Sequence, residues 1–232
     1  MTRRTAELPD PTGDSDAATV PFFSTWRVGT PERQREAVEA IAATWLTAPW
    51  PADGLLGYHV HTGHDGTTLL HHSRWAREQD YEDFVRTGGR QERVDAIDVA
   101  VPGIERVGLH RYRHYRSHGR ARDDTRTAGL VVTVRVDFEP EAAGRRAEWA
   151  DLVLDALAGN ADGDRGLVSA HFHLSQDGTH VLNYAEWESG EAYDEALADG
   201  TPTPEWRRVR AFPGLKGSTG GRYTHALGLV PE

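Results

Sequence analysis

Two short segments of the chain each combine a polar side chain with a tryptophan four residues later. In NYAEW these are Asn183 and Trp187, and in HHSRW, 112 positions earlier, they are His71 and Trp75. Residues two and four apart on a strand point to the same side, so Asn183 and Trp187 share a face with the small Ala185 between them. A carboxamide and an indole N–H can both stabilise a developing oxyanion, and the gap at Ala185 leaves room for a flat ligand. The spacing predicts one wall of a ligand pocket.

Two His-X-His pairs form a second set of candidates. His59 and His61 share one face of a strand, and so do His171 and His173. Metal sites use this spacing, but no Glu follows either pair at a ligand position, and helices between the strands contradict an all-β fold. A metal site is therefore not predicted. The pairs are interpreted as a polar, substrate-binding face of a cavity that could carry protons, or as exposed or structurally bonded histidines.

These segments belong to an internal repeat. Eight residues between positions 59 and 81 recur between positions 171 and 193, and further matches past the second helix of each copy recur at an offset of 111. A repeat of this length decides the architecture, because each copy is expected to form the same unit.

Each copy has the pattern strand, helix, hairpin, helix, strand. β-Branched and apolar runs predict the strands, Thr30 with the following proline predicts a helix start, and Asp-Gly at Asp65 and Asp177 predicts hairpins. Ser189 is the expected N-cap of a later helix. The first helix is expected to bury one face, formed by Val38, Ile41, Ala42, Trp45 and Leu46. This order is the split βαβ, or ferredoxin-like, plan.

The predicted fold class is α+β, with two tandem ferredoxin-like repeats. Residues 1–18 are predicted to be a disordered tail, 19–118 the first repeat, 119–128 a polar linker and 129–232 the second repeat. Helices cover one face of each sheet, and the two sheets packed face to face within one chain would cover the other. A monomeric pseudo-dimer is therefore expected, with pairing between chains as a homodimer as the alternative.

Composition excludes several classes of function. The chain of 232 residues has no cysteine, which removes thiolate nucleophiles, disulfides and cysteine-ligated metal centres. Its net charge of −10 disfavours a nucleic-acid partner. The N-terminus is polar, so a signal peptide is not predicted. A membrane span needs about 18 consecutive apolar residues, and the sequence contains no such run. We therefore expect a cytoplasmic protein with no membrane partner.

The repeated core, with its DGT turn followed by N-Y-A-x-W-x-S and A-Y, resembles the antibiotic biosynthesis monooxygenase family of the dimeric α+β barrel superfamily. The resemblance covers nearly all of both repeats and is strongest from Asp177 to Tyr193. It implies an intrachain barrel and a site made by an Asn, a Trp four residues on, a Tyr six residues after that, and a later Arg. Asn183, Trp187 and Tyr193 match the first three, and Arg207 is placed for the fourth.

The first repeat departs from this pattern. It retains Trp75 and Tyr81 but has His71 in place of the Asn, and its nearest cation to the Arg position is Arg93. His71 would be a base with a pKa near neutrality, or the first pocket would be degenerate and serve as a scaffold. The second repeat is favoured slightly as the chemical site.

The resemblance implies a cofactor-independent monooxygenase that oxidises an anthrone-like or hydroquinone-like polycyclic aromatic polyketide to a quinone with dioxygen. An electron-rich substrate of this kind needs no metal or flavin, so the expected partners are the aromatic substrate and dioxygen. Haem degradation, also found in the superfamily, is not expected, because Val85 and Leu197 stand where a haem-ligating His would lie. The alternatives are a polyketide cyclase-like or ligand-binding protein that uses the same cavity, and a regulatory protein with decayed pockets.

Overall fold

The computed structural model of the chain describes residues 2–5, 7–9, 19–119, 124–159, 166–198 and 203–232. These form two compact units, one from Met1–Tyr112 with Tyr223–Glu232 and the other from Arg113–Arg222. The chain passes between the units within two long strands, so each of these strands contributes residues to both. How the two units pack on each other stays a prediction from sequence.

The first unit contains an antiparallel sheet and three helices. Its strands lie in the order β1, β9, β3, β4, β2, β5. Its elements are β1 (Thr2–Thr5), β2 (Val20–Arg27), α1 (Pro31–Thr47), β3 (Leu55–Gly63), β4 (Thr68–Trp75), α2 (Glu78–Arg86), α3 (Gly89–Ala100), the beginning of β5 (Glu105–Gly119) and the end of β9 (Leu215–Pro231).

The second unit has the same order of elements. Its strands lie in the order β5, β7, β8, β6, β9. Besides the end of β5 and the beginning of β9, it contains β6 (Leu130–Phe138), a 3₁₀ turn (Pro140–Arg145), α4 (Arg146–Ala158), β7 (Leu167–Ser175), β8 (His180–Trp187), α5 (Gly190–Ala198) and α6 (Pro204–Arg210).

Each unit differs from the predicted plan at its second helix, which is followed by a third. In the first unit Gly88 interrupts the helical stretch with a φ of 84°, a conformation that favours glycine, and α3 begins at the next residue. In the second, Thr203 accepts a hydrogen bond from the backbone N–H of Trp206 and starts α6. The additional helices place further side chains over the sheet.

The start of the first helix is confirmed, whereas one of its predicted core residues is wrong. Thr30 is the N-cap of α1, and its Oγ1 accepts from the backbone N–H of Arg33 at 3.2 Å. Ile41 and Trp45 are buried as expected. Leu46 is 37% exposed, because Gln34 and the alanines of the preceding turns lie on the face that contacts the sheet.

Both predicted hairpins are confirmed. Gly66 and Gly178 follow the turn aspartates with φ values of 69° and 81°. Asp65 Oδ1 accepts from the backbone N–H groups of Thr67 and Thr68, which closes the first turn. These turns fix the register of β4 and β8, and hence which of their residues face the helices.

The predicted disorder of the N-terminal tail is wrong for its first residues. Thr2–Thr5 form β1, which pairs with Gly228–Pro231 at the end of β9 because the backbone groups of that strand are open to pairing. Residues 10–18 of the tail and 120–123 of the linker lie outside the described residues. None of the helices in the described part of the chain combines the length and apolar character that a membrane span requires.

Each unit has its own hydrophobic core between its sheet and its helices. In the first, Leu69 and Trp75 of β4 face Ile41 and Trp45 of α1. In the second, Val181, Ala185 and Trp187 of β8 lie in the corresponding core. The helix-facing side of β4 therefore carries His71 and Ser73, and the helix-facing side of β8 carries Asn183, as the alternation predicts.

Candidate functional site

A cavity of about 250 Å³ opens in the first unit, between the sheet and the three helices. β2, β3, β4 and β5 form its floor, and α1, α2 and α3 cover it. Its wall is mainly aromatic, with Phe22, Trp26, Trp45, Tyr58, Trp75, Tyr81 and Phe84. This volume lies just below the usual range of ligand pockets, which is about 300–1,000 Å³, and an aromatic wall suits a flat ligand.

The predicted residues of the first repeat meet at this cavity. His71, Trp75 and Tyr81 all line it, together with Ser73. The edge of the Trp75 ring meets the Tyr81 ring, with centroids 5.4 Å apart. The indole N–H of Trp75 donates to Ser73 Oγ at 3.1 Å, so Trp75 contributes an apolar ring, and its N–H is already bound.

His71 forms a hydrogen bond with a residue that the sequence did not indicate. Tyr58, on the neighbouring strand β3, places its hydroxyl 2.6 Å from His71 Nδ1. Burial raises the pKa of Tyr58 well above its usual value, so the hydroxyl keeps its proton and donates it to Nδ1. The proton of the neutral imidazole is then on Nε2, which is buried and has no partner among the described residues. His71 thus presents an unused N–H donor.

The expectation that His71 has a pKa near neutrality is wrong. Burial, with a further contribution from the nearby Arg106 cation, lowers its pKa to about 3. The imidazole is also held by ring contact with Trp26, whose centroid is 4.1 Å away. At physiological pH His71 is therefore neutral, and its chemistry is that of a fixed hydrogen-bond donor.

Three arginines line the cavity as well. Arg90 and Arg93 lie on α3, and Arg106 lies at the start of β5. Only Arg93 stood out in the sequence, as the cation nearest to the expected position. The other two were missed because their proximity depends on the additional helix α3 and on the pairing of β5 with β2.

In the second unit the predicted residues are close to one another, with one exception. Asn183 and Trp187 face the helices from β8, and Tyr193 on α5 meets the Trp187 ring at 5.1 Å between centroids. Asn183 Oδ1 and Trp187 Nε1 are buried without a hydrogen-bond partner among the described residues. Arg207 is exposed on α6, whereas the guanidinium of Arg222 lies 4.7 Å from the centre of the Tyr193 ring. The recurrence of Arg222 at the repeat offset was the available signal.

The His-X-His pair of the first unit lies on the side of the sheet away from the helices. His59 Nδ1 is 3.2 Å from His225 Nε2, and the His61 and His225 rings are 5.2 Å apart. Burial lowers the pKa of His59 to about 3 and that of His61 well below its usual value. Within the described chain, no further ligand atom completes a metal site with the His59 and His225 nitrogens.

The pair of the second unit lies on β7, the strand that corresponds to β3, and is hydrogen bonded within its own unit. His171 bonds Ser117 and Ser169 through its two ring nitrogens, at 2.8 and 2.9 Å. His173 Nδ1 donates to the backbone oxygen of His171 at 3.2 Å. Neither pair is among the residues that line the cavity beside His71.

No protein-family model matches the chain. It is 44% identical over 46 residues to tetracenomycin-F1 monooxygenase from Streptomyces glaucescens, over 20% of this chain and 41% of the relative. Over that stretch the chain is a homologue of this monooxygenase. The match spans less than half of the relative's length.

The fold is shared with several solved structures. An anthrone oxidase-like protein aligns with a TM-score of 0.71 at 18% identity, over 92% of this chain and 94% of its own. A proposed monooxygenase from Fusobacterium nucleatum aligns at 0.61 and 10% identity, over 91% and 94%. Chlorite dismutase from Candidatus Nitrospira defluvii aligns at 0.53 and 11% identity, over 91% and 92%. At these identities the likeness shows the fold alone, and proteins of different activity share it.

Proposed function

We propose that the chain is a cofactor-independent monooxygenase that oxidises an anthrone-like or hydroquinone-like polycyclic aromatic to a quinone with dioxygen. The observation that supports this most is the aromatic cavity beside His71, whose Nε2–H is buried without a partner among the residues that the structure describes. The homology to tetracenomycin-F1 monooxygenase over 46 residues points to the same class of reaction.

The proposed reaction begins with ionisation of the bound substrate. An anthrone loses a proton from its central CH₂ group to solvent and becomes an enolate, whose negative charge is on the former carbonyl oxygen. His71 donates its Nε2–H to that oxygen, and the positive charges of Arg90 and Arg93 in the cavity wall lower the pKa of the substrate. The Trp75 and Tyr81 rings hold the aromatic system in place.

The enolate is electron-rich enough to react with dioxygen directly. One electron passes to dioxygen, the two radicals combine into a C–O bond, and the peroxide takes up a proton. The remaining C–H proton then leaves as the O–O bond breaks, which gives the quinone carbonyl and water. In total, CH₂ and O₂ become C=O and H₂O, so the chemistry requires no reductant.

The test is oxygen uptake by metal-free, flavin-free protein given anthrone. We expect the native protein to consume one dioxygen per quinone formed, and His71→Leu to lose most of this turnover. Asn183→Ala, the corresponding change in the second repeat, is the matched variant, and we expect it to keep at least half. If only Asn183→Ala loses turnover, the reaction belongs to the second repeat and our placement is wrong.

The same assay separates the proposed function from a binding or cyclase-like role. Tight binding of anthrone or its quinone without any oxygen uptake above the buffer rate would refute the oxygenase proposal and favour a protein that binds aromatics in the cavity.

A further inference from the structure

The cavity wall carries a positive charge in an acidic protein. Three arginines line it, and the described residues contribute no Asp or Glu to its lining, although the whole chain has a net charge of −10. Such a local reversal of charge attracts an anion. The N–H donors that each arginine can offer to a ligand depend on the hydrogen bonds and ion pairs that its guanidinium already forms.

Arg106 is already paired. Its two terminal nitrogens donate to the carboxylate of Asp98 at 2.9 and 3.1 Å, and its guanidinium lies 4.5 Å from the centre of the Trp26 ring. Asp98 neutralises this cation, so Arg106 contributes little attraction of its own.

Arg93 is buried and bonded only to uncharged groups. Its terminal nitrogens donate to the backbone oxygens of Gly89 and Pro49 at 3.0 and 2.6 Å, and its guanidinium lies 4.8 Å from the centre of the Trp45 ring. Its Nε is buried without an acceptor, and no described carboxylate forms an ion pair with it. A buried cation without a counter-ion is costly unless an anion joins it.

Arg90 lies three residues before Arg93, on the same side of α3. It is half-buried, lies close to the Tyr81 hydroxyl, and also has no ion pair with any carboxylate in the described ranges. Its N–H donors are therefore available to a ligand in the cavity. A guanidinium matches a carboxylate in shape and can bind it through two parallel hydrogen bonds.

We propose that the cavity selects a polycyclic aromatic that carries a carboxylate, which Arg90 binds through two hydrogen bonds while Arg93 supplies the second positive charge. This inference rests on the proposed function for the aromatic part of the ligand. The substrate enolate is also an anion, but it forms only during turnover, whereas a carboxylate is present when the ligand binds.

The experiment measures binding of compounds that dioxygen does not consume. Anthraquinone-2-carboxylate and its methyl ester have the same rings and differ in charge, and their binding can be followed by quenching of the fluorescence of the tryptophans in the wall. For native protein we expect the carboxylate to bind at least tenfold more tightly than the ester. In Arg90→Gln the two affinities are expected to lie within about twofold of each other. Arg86→Gln, which changes an exposed arginine of α2 that pairs with Asp83, is expected to keep the full preference.

The ester also reports on folding, since Arg90→Gln should bind it as tightly as native protein does. Equal affinities of native protein for acid and ester, binding of neither, or an undiminished preference in Arg90→Gln would each overturn the inference. Oxygen uptake separates this result from the proposed function. A carboxylate preference without anthrone oxidation supports the inference and refutes the proposed oxygenase function. Anthrone oxidation without a carboxylate preference refutes the inference and supports the proposed function.

Discussion

Replacement of His71 separates a hydrogen-bond donor from a base. In His71→Asn a carboxamide N–H takes the place of the imidazole N–H, as in the second repeat, where Asn183 stands at the equivalent position. In His71→Leu the donor is lost and the volume is nearly kept. If His71 acts as a donor to the substrate oxygen, His71→Asn retains turnover within about tenfold of native.

The magnitude for His71→Leu follows from the burial of the donor. The Nε2–H is buried without a partner among the described residues, and the cavity that His71 lines is largely apolar. Loss of one such donor to a developing oxyanion costs about 10²- to 10³-fold in kcat, which corresponds to about 2.7–4 kcal/mol. KM is expected to change little, because the charge develops only during the reaction.

The assay is kcat for anthrone oxidation between pH 5.5 and 9, measured by oxygen uptake and by quinone absorbance. The lowered pKa of His71, about 3, places its titration below this range. We therefore expect the rate to rise with pH as the substrate ionises, with the same profile shape in native protein and in His71→Asn. Equal losses in the two variants, or an ionisation near pH 6.5 that disappears in His71→Asn, would show that His71 acts as a base and refute this reasoning.

Three further predictions concern the remaining structure. Burial lowers the pKa of His59 to about 3. Below about pH 6.5 the unfolded chain therefore binds a proton that the folded state does not, and the free energy of unfolding falls by about 1.4 kcal/mol for each pH unit of acidification. In urea unfolding at pH 7 and pH 5, His59→Gln should lose less stability on acidification than the exposed control His64→Gln. Gly66→Ala should destabilise the protein by about 1–2 kcal/mol, since its φ is 69°, whereas Gly190→Ala, with open space around its Cβ, should leave the melting temperature nearly unchanged. Tyr58→Phe should lower kcat by about tenfold through loss of one hydrogen bond and should shift the ¹⁵N resonances of its imidazole partner towards a mixture of tautomers; unchanged resonances would show that Tyr58 does not set the tautomer.

Local patterns predicted which side chains of β4 and β8 share a face. The alternation along β4 and β8 placed the polar residue and the tryptophan on one face, and the Asp-Gly turns fixed that register. Tyr81 was found because it recurs with Trp75 at the repeat offset. These features depend only on neighbours along the chain, so sequence reasoning reaches them.

The features that were missed depend on contacts between distant segments. Tyr58 meets His71 because β3 pairs with β4 in one register, and Arg106 approaches through the pairing of β5 with β2. The pKa of His71 could not be anticipated either, since it is set by burial under three helices. Arg90 became visible only when α3 was seen to start after Gly88.

The end of β9 belongs to the unit that bears the cavity. Residues 223–231 pair with β3 and β1, more than 100 residues after the last residue that lines the cavity. During synthesis, the sheet of this unit therefore has a missing strand until the entire second unit has left the ribosome. Proteins usually fold from the N-terminus as they emerge, but here the two units must mature together. A stop codon placed after Arg222 would consequently damage the upstream half of the protein and leave the downstream half comparatively intact.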